Sequence, residues 1–224
     1  MGPDYADQLA PLNAIFAEVY HATRPAQLAL LGCATGNGLE HVDPAITSRA
    51  IAIDVNPEYA ASAKARHQSL GATLEVRCAD VCSCVLPAAA FDLVHAALIF
   101  EHVNMPVLAS RIATWLAPAG TCAVVLQVDS PAAAPVTPSP YRSLAALGAS
   151  MHLASLGQVA ELLGQHGLHP HRQWSVPLTG TSAEGGVGFA DVGESVAFFW
   201  RADESSVETI RPLASEWTWS CLGR

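Results

Sequence analysis

A glycine-rich turn closes the first apolar run of the chain, and its residue types could hold a small ligand. Residues 28–31 are apolar and are followed by Gly-Cys-Ala-Thr-Gly-Asn-Gly at 32–38, a pattern typical of a buried strand that enters a tight turn. Glycine lets the backbone approach a ligand where a Cβ would collide. The next apolar run ends at Asp54, whose carboxylate could accept hydrogen bonds from both hydroxyls of a ribose. The two features together predict a nucleoside-binding crevice.

Strand-like and helical patterns alternate over the first 128 residues. Strands are predicted at 27–31, 50–54, 73–77, 91–97 and 121–128, and helices at 6–22, 37–43, 57–70 and 106–116. This alternation favours a doubly wound, parallel α/β sheet. Right-handed crossovers bring the carboxyl ends of parallel strands to one edge. We therefore expect the glycine turn, Asp54, Asp80 and Ala97 to converge there.

The pattern changes after residue 128. Residues 129–140 contain four prolines and are predicted to form a loop. Helical patterns follow at 141–149 and 156–166, and strand-like patterns at 169–178 and 194–202 are joined by a glycine-rich stretch, which predicts a long hairpin. A chain of 224 residues suits one α/β domain with a full core.

Composition argues against several kinds of partner. The formal net charge is −9 and the eleven basic residues are scattered, which disfavours binding to nucleic acid or to an anionic membrane surface. No charged-then-apolar leader and no apolar run of 18 residues is present, so a soluble, cytoplasmic protein is expected. Cys78, Cys82 and Cys84 have the spacing C-x3-C-x-C, which fits no common zinc site, and no metal is expected.

The glycine turn, Asp54 and Asp80 resemble, in order and spacing, the motifs of class I S-adenosylmethionine (SAM)-dependent methyltransferases. The segments Phe-Asp-Leu-Val at 91–94 and Leu-Ala-Pro-Ala-Gly-Thr at 116–121 extend the resemblance over residues 25–130. It implies a Rossmann-like, mostly parallel seven-stranded sheet with an antiparallel C-terminal hairpin. Within one domain of residues 1–224 we expect a helical cap (1–24), a cofactor-binding core (25–128), an acceptor-side insertion (129–168) and the terminal hairpin (169–202).

The resemblance also implies the contacts of SAM and of its product, S-adenosylhomocysteine (SAH). The turn residues expected against the methionine part are Gly32, Cys33, Ala34 and Gly36. Asp54 would hold the ribose hydroxyls and Val55 would flank the adenine. The adenine amino group would be accepted by Asp80, with a backbone N–H from Val81. The residues expected beside the sulfonium and its methyl are Ala96, Ala97 and Leu98.

Two positions depart from the family's pattern. Leu30 stands where the family usually has Asp or Glu, and Ala34 replaces the middle glycine of the turn. These departures keep open an alternative, a non-catalytic binding or regulatory protein with the same fold. Other cofactors fit less well. The dinucleotide motif Gly-x-Gly-x-x-Gly fails at Ala34 and Asn37, and a P-loop would need Gly-Lys-Ser/Thr at the end of the turn.

Methyl transfer from a sulfonium is an in-line displacement that depends mainly on alignment of the acceptor. A general base is needed only when a neutral hydroxyl or amine must lose its proton. The candidates for this role are Glu101 and His102, just past the fourth strand, whereas His95 inside that strand is expected to be a satisfied core residue. The predicted function is methyl transfer from SAM to a small-molecule acceptor.

Overall fold

The computed structural model describes residues 9–127, 154–177 and 193–201. The predicted helix at 141–149 and most of the predicted acceptor-side insertion lie outside the described residues. The strands are β1 (Gln27–Leu31), β2 (Arg49–Asp54), β3 (Leu74–Cys78), β4 (Phe91–Ala97), β5 (Leu116–Gln127), β6 (Leu168–Pro177) and β7 (Gly193–Arg201). The α-helices are α1 (Leu9–Thr23), α2 (Pro57–Arg66), α3 (Met105–Trp115) and α4 (Leu156–Gly164).

The strands form one sheet in the order β3-β2-β1-β4-β5-β7-β6. The first five pair in parallel, so the predicted Rossmann-like core is confirmed. β7 pairs antiparallel with both β5 and β6. The order of the strands reverses between β1 and β4, and in open α/β sheets a ligand crevice lies at such a switch point, outside the carboxyl ends of the strands.

Both faces of the sheet are covered, which explains why its central strands are apolar throughout. One core cluster joins alternate sheet residues with α1 side chains, including Phe16, Leu28, Leu30 and Leu93. The opposite cluster joins the intervening sheet residues with α3 and α4, including Ile112, Trp115 and Leu163. Successive residues of a central strand therefore face α1 and the α3–α4 layer in turn.

The predicted helix at 37–43 is wrong. A turn occupies residues 34–38, and only a 3-10 helix (Leu39–His41) follows. Gly36 and Gly38 have φ angles of 86° and 98°, which are incompatible with a right-handed helix.

Other element bounds differ from expectation to a smaller extent. The predicted turn at 117–120 lies within β5, where the register with β4 shifts between Phe91 and Leu93. Helix α2 ends at Arg66, earlier than expected, and a 3-10 helix (Gln68–Thr73) follows it. The remaining bounds differ by only a few residues, because the ends of helices and strands fray and carry weak sequence signals.

Asparagine caps fix the first residues of the two helices, α2 and α3, that begin near the carboxyl edge of the sheet. The Asn56 side chain accepts hydrogen bonds from the backbone N–H groups of Glu58 and Tyr59, and Asn104 accepts one from Val107. Each cap is followed closely by a proline, at position 57 or 106, which has no N–H to leave unpaired in the first turn. The two helices therefore begin at fixed points beside the ends of β2 and β4. Within the described residues no helix is both long and apolar enough to span a bilayer.

Candidate active site

Four chain segments meet at the carboxyl edge of the parallel strands. The glycine turn follows β1, Asp54 ends β2, residues 79–81 follow β3, and Leu98 follows β4. Pairing of β2 with both β1 and β3, and of β1 with β4, makes these four strand ends neighbours. The predicted convergence is thus present in the backbone.

Asp54 joins two of these segments directly. Its Oδ2 accepts the N–H of Ala34 in the glycine turn at 2.8 Å, and its Oδ1 accepts the N–H of Asn56 at 2.9 Å. The side chain is buried at 9 % exposure. Each carboxylate oxygen has two lone-pair positions, so two further hydrogen bonds, such as those from a ribose diol, remain available. The carboxylate both fixes the turn and keeps the capacity to accept hydrogen bonds from a ligand.

The glycine turn has a left-handed backbone at several positions. Gly32, Ala34 and Gly36 have φ angles of 68°, 45° and 86°. A Cβ on Gly32 would lie 3.2 Å from Cδ1 of Ile99, so the residues after β4 approach the turn closely. Ala34 adopts a conformation that favours glycine, and its N–H is the one bound by Asp54. The Ala34 methyl therefore adds backbone strain at the position where the resemblance predicts glycine.

Cys33 and Gly36 are oriented toward protein rather than toward open space. The Cys33 side chain is buried in the core cluster beneath α1, and burial together with the nearby Asp54 charge raises its pKa to about 12. The thiol is therefore not a nucleophile near neutral pH. A Cβ on Gly36 would lie 2.8 Å from Cδ2 of His67. Only backbone atoms of these two residues are suited to the predicted cofactor contacts.

Helix α1 supports the turn through contacts that sequence reasoning missed. The Asn13 amide donates to Oδ1 of Asn37 at 3.0 Å and to Oε1 of Glu40 at 2.6 Å, and its Oδ1 lies 2.8 Å from Nε2 of His41. Glu40 Oε2 also accepts the N–H of Gly38 at 2.9 Å. A single polar residue on an amphipathic helix gives no sequence signal for such a network, because its partners lie 24 to 28 residues away.

The residues predicted near the adenine lie at the ends of β2 and β3. Val55 is 70 % exposed, so its side chain is accessible to a ligand at this edge. Asp80 is exposed, and its Oδ1 accepts the N–H of Cys82 at 2.8 Å. Val81 is buried in the cluster that faces α3, so only its backbone could serve a ligand. Cys78, next to them, donates its thiol to the Val55 carbonyl at 3.6 Å.

The end of β4 places Leu98, Glu101 and His102 beside the same edge. Ala96 is fully buried, Ala97 is half-buried, and Leu98 has a φ of 50° while donating its N–H to Val125 at 2.8 Å. Glu101 is only 2 % exposed. Its Oε1 accepts the N–H of Gln127 at 3.1 Å, while its Oε2 is buried without a hydrogen-bond partner among the described residues.

Burial sets the protonation of these two candidate bases. Desolvation raises the pKa of Glu101, and the hydrogen bond from Gln127 only partly opposes it. The His102 residue is exposed, but partial desolvation still lowers the pKa of its ring. The lower pKa favours the neutral imidazole, which can accept a proton. The pair thus offers one buried carboxyl and one accessible imidazole at the end of β4.

His95 is a core residue, as expected, but one of its ring nitrogens is not satisfied. The side chain is 2 % exposed, and its Nδ1 has no hydrogen-bond partner among the described residues. Its ring packs edge-on against Phe16, with centroids 5.1 Å apart and an angle of 87° between the planes. Strand position alone predicted burial, but it could not show whether the ring nitrogens would find partners.

Comparison with known proteins shows which family the Rossmann-like sheet and its carboxyl edge resemble. Residues 29–124 match the family described as "Methyltransferase domain". The match covers 96 of the 224 residues. Over this segment it confirms the predicted resemblance to methyltransferases and supports the predicted enzyme class. No curated protein matches the sequence.

Solved structures with a similar fold cover most of the chain. The N-methyltransferase NodS from Bradyrhizobium japonicum WM9, in complex with SAH, is 18 % identical with a TM-score of 0.63, and the match covers 87 % of each chain. Geranyl diphosphate C-methyltransferase from Streptomyces coelicolor A3(2), with Mg2+, geranyl diphosphate and SAH, is 14 % identical with a TM-score of 0.63, over 86 % of this chain and 82 % of that one.

A third similar structure, the [4+2]-cyclase SpnF, is 18 % identical with a TM-score of 0.64, over 86 % of this chain and 81 % of that one. At these identities the likeness concerns the fold alone. Since one fold carries enzymes named for different reactions, the reaction has to be argued from the site.

Ala34→Gly should stabilise the protein. The left-handed φ costs a residue with a Cβ about 1–2 kcal/mol, and part of this gain is offset by the greater flexibility of glycine in the unfolded chain. We expect a net gain of up to about 1 kcal/mol in the free energy of unfolding, measured by urea denaturation. As a control, Ala61→Gly at an exposed position of α2 should lower stability by about 0.5–1 kcal/mol. A loss of stability in Ala34→Gly would contradict the strain argument.

Glu101→Gln should raise the melting temperature most at neutral and alkaline pH. The folded chain binds the Glu101 proton more tightly than the unfolded chain does, because burial raises its pKa. The contribution of this carboxyl to stability is therefore complete below its pKa in the unfolded chain, about 4.3. It is lost as the pH rises through the higher pKa of the same group in the folded chain. Glutamine keeps an oxygen for the Gln127 N–H, so the advantage of the variant should shrink as the pH is lowered. Glu161→Gln, on the exposed side of α4, should show no such pH dependence.

Proposed function

We propose that this protein transfers the methyl group of SAM to a small-molecule acceptor by in-line displacement. The observation that carries the proposal is the meeting of the glycine turn, Asp54 and the end of β4 at one sheet edge. The reaction needs a bound sulfonium and an aligned acceptor with water excluded. All of these groups belong to the rigid sheet or to turns tied to it.

In this proposal Asp54 accepts the ribose hydroxyls with the lone pairs left free by Ala34 and Asn56. The exposed Val55 packs on the adenine face, Asp80 accepts the adenine amino group, and Val81 offers its backbone N–H. Backbone groups of residues 32–36 contact the methionine part. Ala96, Ala97 and Leu98 border the sulfonium, where small or apolar side chains leave room for the methyl group and keep water away.

The acceptor would approach from the side of Glu101 and His102, with the insertion at 129–168 forming the rest of its site. An acceptor hydroxyl or amine must lose a proton, and the neutral His102 ring can take it. The buried Oε2 of Glu101 has no hydrogen-bond partner among the described residues, which suits a carboxyl that orients a hydrogen-bond donor of the acceptor. The names of the similar structures include an N- and a C-methyltransferase, a range of acceptors compatible with this assignment.

The remaining features extend the proposal to the whole chain. We regard residues 1–224 as one domain that works in the cytoplasm, since Cys33, Cys78, Cys82, Cys84 and Cys122 are free thiols and a reducing compartment maintains that state. The negative net charge argues against a nucleic-acid substrate.

The alternative function is a binding or regulatory protein that holds SAM without transferring its methyl group. It is favoured by the buried, apolar Leu30 and the strained Ala34.

SAH should stabilise the wild-type protein in a thermal-shift titration, and Asp54→Ala should abolish that shift. A ligand at 100 times its Kd adds about 2.7 kcal/mol to stability. The control is Asp92→Ala, because Asp92 also binds a backbone N–H, that of Gln27 at 2.8 Å, at the opposite end of the sheet. This variant should lose some stability but keep the full SAH shift. Absence of a shift in the wild-type protein at millimolar SAH or SAM would refute both the enzyme and the SAM-binding alternative.

Radiolabelled SAM should deliver its methyl group to an acceptor in a small-molecule metabolite extract. His102→Gln should lower the transfer rate by about 10²–10⁴-fold when the acceptor has a proton to lose, while SAH binding stays unchanged. His166→Gln, in the exposed turn after α4, should leave the rate unchanged. Binding of SAH without any transfer would instead support the non-catalytic alternative.

A further inference from the structure

His67 is a buried polar side chain that lies against the glycine turn. It is 7 % exposed, and its Nε2 has no hydrogen-bond partner among the described residues. A Cβ on Gly36 would lie 2.8 Å from Cδ2 and 2.9 Å from Nε2 of this ring. The unpartnered nitrogen is therefore packed beside the turn, and a buried polar atom of this kind calls for an explanation.

The end of α2 contacts the turn at two successive residues. The His67 ring lies against Gly36, and Nη1 of Arg66 lies 3.4 Å from both the carbonyl oxygen and Oγ1 of Thr35. The backbone of His67 is itself fixed, because it caps α2 and donates its N–H to the Ala63 carbonyl at 3.1 Å. Residues 35 and 36 belong to the backbone segment proposed to contact the methionine part of SAM. The position of that segment thus depends on the end of α2.

We propose that His67 is a positioning residue, whose ring packs against Gly36 and so holds the glycine turn in the form that binds the cofactor. The inference rests on the proposed SAM-binding function. The ring acts through the turn and does not contact the ligand. Its buried Nε2 fits this role, because an atom without accessible surface can influence a ligand only through its neighbours.

The packed position requires an uncharged ring. A protonated imidazole needs an acceptor at each nitrogen, and Nε2 of His67 has none among the described residues. Burial and the neighbouring Arg66 lower the pKa of His67, and Glu40, together with the backbone of Gly36, opposes them only in part. A ring released from the turn would have the ordinary pKa of about 6.5. As the pH falls through this range, the released ring gains a proton that the packed ring does not, so the packed turn is disfavoured in acid.

The test is the pH dependence of SAH binding, measured by calorimetry on the full chain. The Kd of the wild-type protein should rise about threefold or more from pH 7.5 to pH 5.0, because binding favours the packed turn. His67→Phe keeps an aromatic ring beside Gly36 but cannot titrate. It should match the wild-type Kd within about twofold at pH 7.5 and lose the pH dependence, whereas His166→Gln should keep it. A dependence that persists in His67→Phe would belong to another group and would overturn the inference.

A second measurement uses the wild-type protein and does not depend on how the variants fold. Linkage is reciprocal, so SAH should lower the pKa of the His67 ring, followed by NMR, to the extent that matches the rise of Kd in acid. Binding of SAH without a change in this pKa would reject the role of His67 alone. Failure of the wild-type protein to bind SAH at pH 7.5 would reject the SAM-based function itself.

Discussion

The carboxylate of Asp54 is the constraint on which the site depends. It lies at the end of β2 and receives the N–H of Ala34 from the turn after β1 and the N–H of Asn56 at the start of α2. Hydrogen bonds to a charged group are stronger than those between neutral groups, and here they hold three elements in one arrangement. Without them, two N–H groups would lack partners and the turn would lose its link to the neighbouring strand.

The turn is also held from the other side. Phe16 fills the space beside Gly38, Asn13 binds Asn37 and Glu40, and the His67 ring lies against Gly36. The glycines are thus required by contact with the protein itself as well as by any ligand, because a Cβ at position 36 or 38 would collide with an aromatic ring. A rigid turn presents its backbone N–H groups in fixed positions, which reduces the conformational entropy lost on binding.

The end of β4 combines two buried polar groups in different surroundings. His95 lies beneath α1, whereas Glu101 follows the strand and reaches Gln127 on β5. Each has one polar atom without a partner among the described residues. Incomplete hydrogen bonding lowers stability, so each of these two unpaired atoms calls for a structural or functional explanation.

The sequence by itself determined the parallel core and the converging strand ends. Apolar runs such as 27–31 and 91–97 fix strands buried on both faces, and the alternation with helices fixes their direction. The helix predicted from the sequence at 37–43 is wrong, because Gly38 and the preceding Gly36 adopt left-handed φ angles that a right-handed helix excludes. The hydrogen-bond partners of Asp54 and Asn13, and the lack of a partner for Nδ1 of His95 among the described residues, were decided only by the tertiary structure. Periodicity reports which face a residue occupies, while a hydrogen bond depends on the distance between atoms that packing alone brings together.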